Sequence, residues 1–82
     1  MKSTEELFKI LRDVIVATLK DDSIEISQET KVADLGLDSL TFMEIVSGLE
    51  MVMVIDFPSD HQSQSRFGTL GDVVGKLYEW QR

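Results

Sequence analysis

Of the chain's 82 residues, 43% are hydrophobic and 28% charged, a balance that suits a folded chain and excludes a disordered one. Eight basic and fifteen acidic side chains leave a formal charge of −7, which repels nucleic-acid phosphates and anionic membranes and directs the chain to partners with basic patches. The absence of cysteine excludes a disulfide framework, a thiolate metal site and a cysteine nucleophile. A chain of this length buries only roughly 60–65% of its unfolded surface, so residues 1–82 are expected to form one thin-cored domain with little room for a deep catalytic pocket. Met1 leads into an amphipathic segment and not into a basic stretch with a long apolar run. The expectation is therefore a cytoplasmic monomer without signal peptide or membrane span.

The first helix is predicted over residues 3–19, where Leu7, Ile10, Leu11, Val14, Ile15 and Leu19 recur at the three-and-four spacing of one helical face. Ser3, with Glu6 three residues on, has the pattern of a capping box. Asp21, Asp22 and Ser23 interrupt the periodicity. Residues 20–38 then carry only short apolar alternations, at Ile24 and Ile26 and at Val32 and Leu35, which predicts a long, partly buried loop.

After Gly36, the spacing of Leu40, Met43, Val46, Leu49 and Met53 predicts a second helix from Ser39 to about Val54, with Leu37 and Leu40 packing inward beside Ser39. Pro58 cannot continue it and biases Phe57 away from helical angles. A helix through Met51, Val52, Met53, Val54 and Ile55 cannot bury all five side chains on one stripe, because successive residues turn by about 100°. Met51 and Val54 are expected either to close on the following segment, the commoner fate of apolar residues, or to form a flexible contact for a partner.

The polar run from Ser59 to Arg66 is expected to be either a short third helix or an irregular loop, its lack of apolar residues favouring the loop, with His61 solvated. Thr69 and Asp72 repeat the capping pattern with Asp in place of Glu, ahead of Leu70, Val73, Val74, Leu77 and Tyr78. That predicts a closing helix to about Trp80, on which Tyr78 continues the buried stripe better than Trp80 does. The fold class is therefore all-α: a small bundle of three main helices plus a short or irregular third segment, with a long loop between the first two helices.

The stretch from Asp34 to Leu40 reads D-L-G-L-D-S-L and continues T-F-M-E-I-V-S-G-L-E. A serine at the start of a helix is exposed, and the unpaired N–H groups and positive dipole end there favour a nearby anion. Asp38 can cap the helix and leave the Ser39 hydroxyl free. Taken alone, an Asp-Ser pair before an apolar run is usually no more than a cap. Here it lies between a first helix with a long loop and an F-P step followed by a helix opened by T-L-G-D-V-V, and in that setting nearly the whole chain resembles the acyl and peptidyl carrier proteins.

The resemblance implies an acyl-carrier-like bundle with no catalytic residue of its own. It implies that Ser39 receives 4′-phosphopantetheine covalently from coenzyme A, with Asp38 at the modifying enzyme's interface and Leu40 completing the triplet. The arm would hold acyl or aminoacyl groups as thioesters in fatty acid, polyketide, nonribosomal peptide or other specialised biosynthesis. The implied partners are a phosphopantetheinyl transferase, an acyl-loading ligase or synthase, and downstream enzymes with basic docking patches. Docking would use the second helix, through Glu44 and Glu50 with Met43 and Met51.

Two stretches depart from the family's habit. Met51–Ile55 is apolar where relatives often carry further acidic residues, which favours a dedicated pathway. Ser59–Ser65 is polar where a short helix usually faces the arm, which weakens the case for shielding a tethered chain and favours a polar or short cargo. The competing reading is an unmodified helical module that binds a partner through the second helix, and Ser39 itself speaks against it. An enzyme would need a cluster of acid, base and nucleophile that one histidine and no cysteine do not supply, and a nucleic-acid module would need a basic stripe.

Overall fold

The computed structural model describes residues 1–81. Three helices, α1 (Thr4–Leu19), α2 (Ser39–Met53) and α3 (Leu70–Trp80), are joined by a long loop that contains a 3-10 turn at Val32–Leu35 and by a shorter connection with 3-10 turns at Ser59–His61 and Gln64–Arg66. Both predicted capping boxes are formed. Ser3 Oγ accepts from the Glu6 N–H at 3.2 Å and the Glu6 carboxylate from the Ser3 N–H at 3.1 Å, while Thr69 and Asp72 pair in the same way at 3.2 and 2.9 Å. Each box satisfies donors that the first turn of a helix leaves without a partner.

One apolar core joins the helices. Leu7, Leu11 and Ile15 from α1 meet Phe42, Ile45, Val46 and Leu49 from α2 and Leu70, Val73, Val74 and Leu77 from α3. Gly48 brings α1 and α2 close together, since a Cβ added there would lie 2.9 Å from Val14 Cγ1. α1 runs antiparallel to both partners: its start lies beside Val52 and Met53 at the end of α2, and Lys2 and Gln81 exchange hydrogen bonds of 2.8 and 2.9 Å.

The buried stripe of α2 differs from the predicted one. Phe42 and Ile45 are buried, whereas Met43 is half-exposed and Leu40 is 70% exposed, so Leu40 does not pack inward. Apolar residues surround this helix on nearly every side, so periodicity allows more than one inward face; the chosen face buries the large Phe42 ring and continues through Val46 and Leu49.

The closing helix carries a second correction. Trp80 is half-buried, with its ring edge-on to Phe57 at 4.9 Å and to His61 at 5.4 Å, while Tyr78 is exposed. His61 is accordingly not a freely solvated residue. Its ring packs against Trp80 and Phe67, and its Nδ1 lies 3.0 Å from Asp60 Oδ1. The run from Ser59 to Arg66 is thus neither a helix nor loose, because aromatic side chains from its flanks and from α3 hold it in place.

α2 ends at Val54 in the left-handed region, φ 55° and ψ 53°, with the side chain 76% exposed. That conformation is disfavoured for a β-branched residue and is the usual place for glycine. Val54→Gly is expected to raise stability by about 0.5–1 kcal/mol, moving the thermal midpoint up a few degrees, with Val54→Ala gaining less because it keeps the Cβ. Circular dichroism melts of the three proteins check this order.

Candidate functional site

The long loop delivers Ser39 to its position. Backbone hydrogen bonds from Val32 to Gly68 (3.0 Å), from Leu70 to Thr30 (2.9 Å) and from Gly71 to Gln28 (2.8 Å) fasten the loop to the start of α3. The 3-10 turn then ends at Gly36, whose φ of 66° reverses the chain in a conformation that suits glycine. Leu37 follows, half-buried against the core, and its carbonyl accepts from Gln64 Nε2 at 2.9 Å. Gln64 thereby ties the residues just before the helix to the Gln64–Arg66 turn. It was not foreseen from the sequence, where it lies in a featureless polar run.

Asp38 is the N-cap of α2. Its backbone is extended, its Oδ1 accepts from the Thr41 N–H at 2.7 Å, and its carbonyl accepts from the Phe42 N–H at 3.0 Å. The bond from Thr41 holds the Asp38 carboxyl below the usual carboxylate range. Ser39 is the first helical residue and is exposed. Among the described residues its hydroxyl makes no hydrogen bond, and the N–H groups of Ser39 and Leu40 meet no protein acceptor. The site is therefore a fixed backbone that presents a free hydroxyl to solvent, beside two unsatisfied donors at the positive end of a helix.

The expected docking residues separate into two groups. Leu40, Met43, Glu44 and Met51 lie along the outward side of α2, with Leu40 and Met51 70% and 81% exposed. Met51, Val52 and Val54 do not close on the following segment, which leaves Met53 and Ile55 as the inward members of that run. Glu50 belongs with the fold: its Oε2 accepts from the Phe57 N–H at 2.9 Å and anchors the chain reversal after α2. Phe57 is buried beyond the end of α2, where its N–H has no helical acceptor and needs a partner within the turn.

Residues 9–77 match the family model described as the phosphopantetheine attachment site. The acyl carrier protein of Wolinella succinogenes is 36% identical over 69 residues, covering 83% of this chain and 88% of its own. That of Clostridium perfringens strain 13 is 34% identical over 74 residues, 89% and 95% of the two chains. That of Thermotoga maritima is 31% identical over 78 residues, 94% of each. No solved structure matches the chain significantly. The chain belongs to the phosphopantetheine-attachment family, whose acyl carrier proteins bear a covalent 4′-phosphopantetheine and are carriers, not enzymes. Membership entails recognition by a phosphopantetheinyl transferase and by biosynthetic enzymes. No helix among the described residues is long and apolar enough to cross a membrane.

The division of roles on α2 leads to opposite expectations for its two glutamates. Glu50→Ala should lower unfolding free energy by about 1–2 kcal/mol, because it strands the Phe57 N–H, whereas Glu44→Ala should leave stability within about 0.5 kcal/mol. Urea titrations of both variants decide this. Acid should act through Asp38, Glu6, Asp21 and Asp60, whose carboxyls hydrogen bonding holds below their ordinary values. A group whose pKa is depressed by folding stabilises above its unfolded pKa and loses that contribution as pH falls through the folded value. Stability should therefore decline below roughly pH 4, and Asp38→Asn should make that decline shallower in melts recorded from pH 7 to pH 2.

Proposed function

We propose that Ser39 carries the 4′-phosphopantetheine arm and that the chain serves as an acyl carrier for a dedicated biosynthetic pathway. The observation that carries this reading is the free, exposed Ser39 hydroxyl beside a cap already satisfied by Asp38. Modification costs the helix nothing, because its capping bond runs to Asp38 and not to the serine. The unpartnered N–H groups of Ser39 and Leu40 suit a phosphodiester, and Asp38 directs its carboxylate to Thr41. The residues at this position thus fit the group.

In the transfer, a bond forms between Ser39 Oγ and the phosphorus next to the pantetheine while the P–O–P link of coenzyme A breaks. The adenosine bisphosphate leaves and the hydroxyl proton passes to a base of the transferase. When bound, the group supplies a terminal thiol that holds acyl cargo as a thioester. The protein contributes a rigid pedestal and a recognition face. The outward side of α2, from Asp38 and Leu40 through Met43 and Glu44 to Met51, is the docking surface in this reading, and Glu44 is its acidic contact for a basic patch. The apolar character of Met51, Val52 and Val54 supports partners particular to one pathway, in which an apolar anchor takes over from charge.

Ser39→Ala should retain the helical spectrum and thermal midpoint of the parent, since Asp38 still caps α2. It should gain no mass when incubated with coenzyme A and a promiscuous phosphopantetheinyl transferase. Intact mass spectrometry reads the result, and an adduct on the variant equal to that on the parent would move the site elsewhere.

A further inference from the structure

Residues 36–39 lead the chain from the long loop into α2, and they are held differently on their two sides. On the helix side Asp38 is held twice, its Oδ1 by the Thr41 N–H at 2.7 Å and its carbonyl by the Phe42 N–H at 3.0 Å, and both bonds stay within α2 and its cap. On the loop side the hold is slight. The Gly36 N–H reaches the Ala33 carbonyl at 3.4 Å, beyond the usual range for such a bond, and Gly36 itself, at φ 66°, has no neighbour within 4 Å of where a Cβ would stand. Among the described residues, the hydrogen bond from Gln64 Nε2 to the Leu37 carbonyl, at 2.9 Å, is the one that ties residues 36–39 to a part of the chain remote in sequence.

The base from which Gln64 reaches is firm. Its turn is closed by the Arg66 N–H on the Ser63 carbonyl at 3.0 Å and by the Phe67 N–H on the Gln64 carbonyl at 3.1 Å, and the buried Phe67 ring lies 6.2 Å from Phe42 on the first turn of α2. Gln64 and Leu37 also line an open groove with Ala33, Ser65 and Phe67, which water can enter. A Leu37 carbonyl that loses Gln64 is therefore hydrated and not stranded, so the bond contributes more to position than to stability. Position is what the transfer needs. Ser39 Oγ has to meet the phosphorus of coenzyme A in line with the departing bisphosphate, as the P–O–P link breaks and the hydroxyl proton passes to the transferase, and a misplacement of about 1 Å costs such a step on the order of 10²-fold in rate.

We infer that Gln64 is a positioning residue for the modification of Ser39: through the Leu37 carbonyl it sets where the first turn of α2, and with it the Ser39 hydroxyl, stands against the rest of the bundle. The inference rests on the arm being attached at Ser39. Gln62 supplies the contrast. It lies in the same connection, and its Nε2 donates to the Phe57 carbonyl at 3.0 Å, a bond of the same chemistry and also partly buried, but made to the segment after α2 and not to the one before it.

The test compares the parent with Gln64→Met, Gln64→Lys and Gln62→Met in single-turnover transfer from coenzyme A, with a promiscuous phosphopantetheinyl transferase in excess. Methionine keeps the length of glutamine and cannot donate, whereas a lysine ammonium can donate to the Leu37 carbonyl again. At saturating transferase Gln64→Met should be modified about tenfold more slowly, with half-saturation changed less than about twofold, and Gln64→Lys should recover to within about threefold of the parent. Gln64→Met and Gln62→Met should each lower the melting midpoint by no more than a few degrees, and Gln62→Met should keep the parent's rate. In amide NMR spectra of the unmodified proteins, the Asp38, Ser39 and Leu40 resonances should move in Gln64→Met and hold in Gln62→Met. A Gln64→Met protein modified at the parent's rate, or a Gln64→Lys no faster than Gln64→Met, would overturn the inference while leaving Ser39 as the site. Equal slowing in Gln62→Met would overturn it too, because the effect would then follow stability alone. A parent that gains no adduct on Ser39 removes both the attachment reading and this inference. If Gln64→Met does not fold, Gln64→Glu, whose carboxylate cannot donate, takes its place with the same expected slowing.

Discussion

The position of Ser39 depends on three backbone hydrogen bonds between the long loop and the start of α3, donated by Val32, Leu70 and Gly71. Together with the buried Val32 and the packing of Leu35 and Leu37 against the core, they set the path of the loop into the start of α2. Closing so long a loop costs conformational entropy that Val32, buried under the helices, offsets with apolar contact. The consequence runs through the site. Once the loop is fastened, Gly36 turns the chain, Leu37 seals the core, Asp38 caps α2, and the next residue, Ser39, is left with an unengaged hydroxyl. A serine that had to serve as cap would be hydrogen-bonded; moving that task one residue back separates stability from chemistry.

α2 is apolar on more than one side, and its two faces have different tasks. The inner face supplies Phe42, Ile45, Val46 and Leu49 to the core. The outer face exposes Leu40, Met51 and Val54, and Glu44 is the acidic residue among them. Val54 combines a left-handed backbone with an exposed β-branched side chain, a pairing that local stability alone does not favour. Glu50, the other acid of the helix, is committed to the Phe57 N–H. Of the two glutamates on α2, Glu44 alone is left exposed on the outer side, among the exposed apolar residues Leu40, Met51 and Val54.

Much of the fold was legible in the sequence because its signals were local. The capping boxes at Ser3 and Thr69, the break at Asp21–Ser23, the stop before Pro58 and the Asp38 cap are each set within a few residues, and each is found in the structure. What could not be read depends on which way a side chain faces when several faces are apolar. Leu40 and Phe42 were equally eligible for the core by composition, as were Tyr78 and Trp80, and the choice follows from the space available: Phe42 meets Phe67, and Trp80 meets Phe57 and His61. The polar run from Ser59 to Arg66 looked loose because its order comes from outside it, through the aromatic contacts of His61 and the bonds from Gln62 to the Phe57 carbonyl and from Gln64 to the Leu37 carbonyl. The double identity of Glu50, acidic surface by sequence and backbone anchor by structure, was hidden for the same reason.

The central claim is that this bundle exists to present one modifiable serine. Peptide mapping of the unmodified parent protein, after incubation with coenzyme A and a promiscuous phosphopantetheinyl transferase, tests it most directly. A single phosphopantetheine on the peptide containing Leu37 to Thr41, localised to Ser39 by fragmentation, is the result the account predicts. A folded protein that no member of a panel of transferases modifies, or an adduct on any other residue, would contradict it.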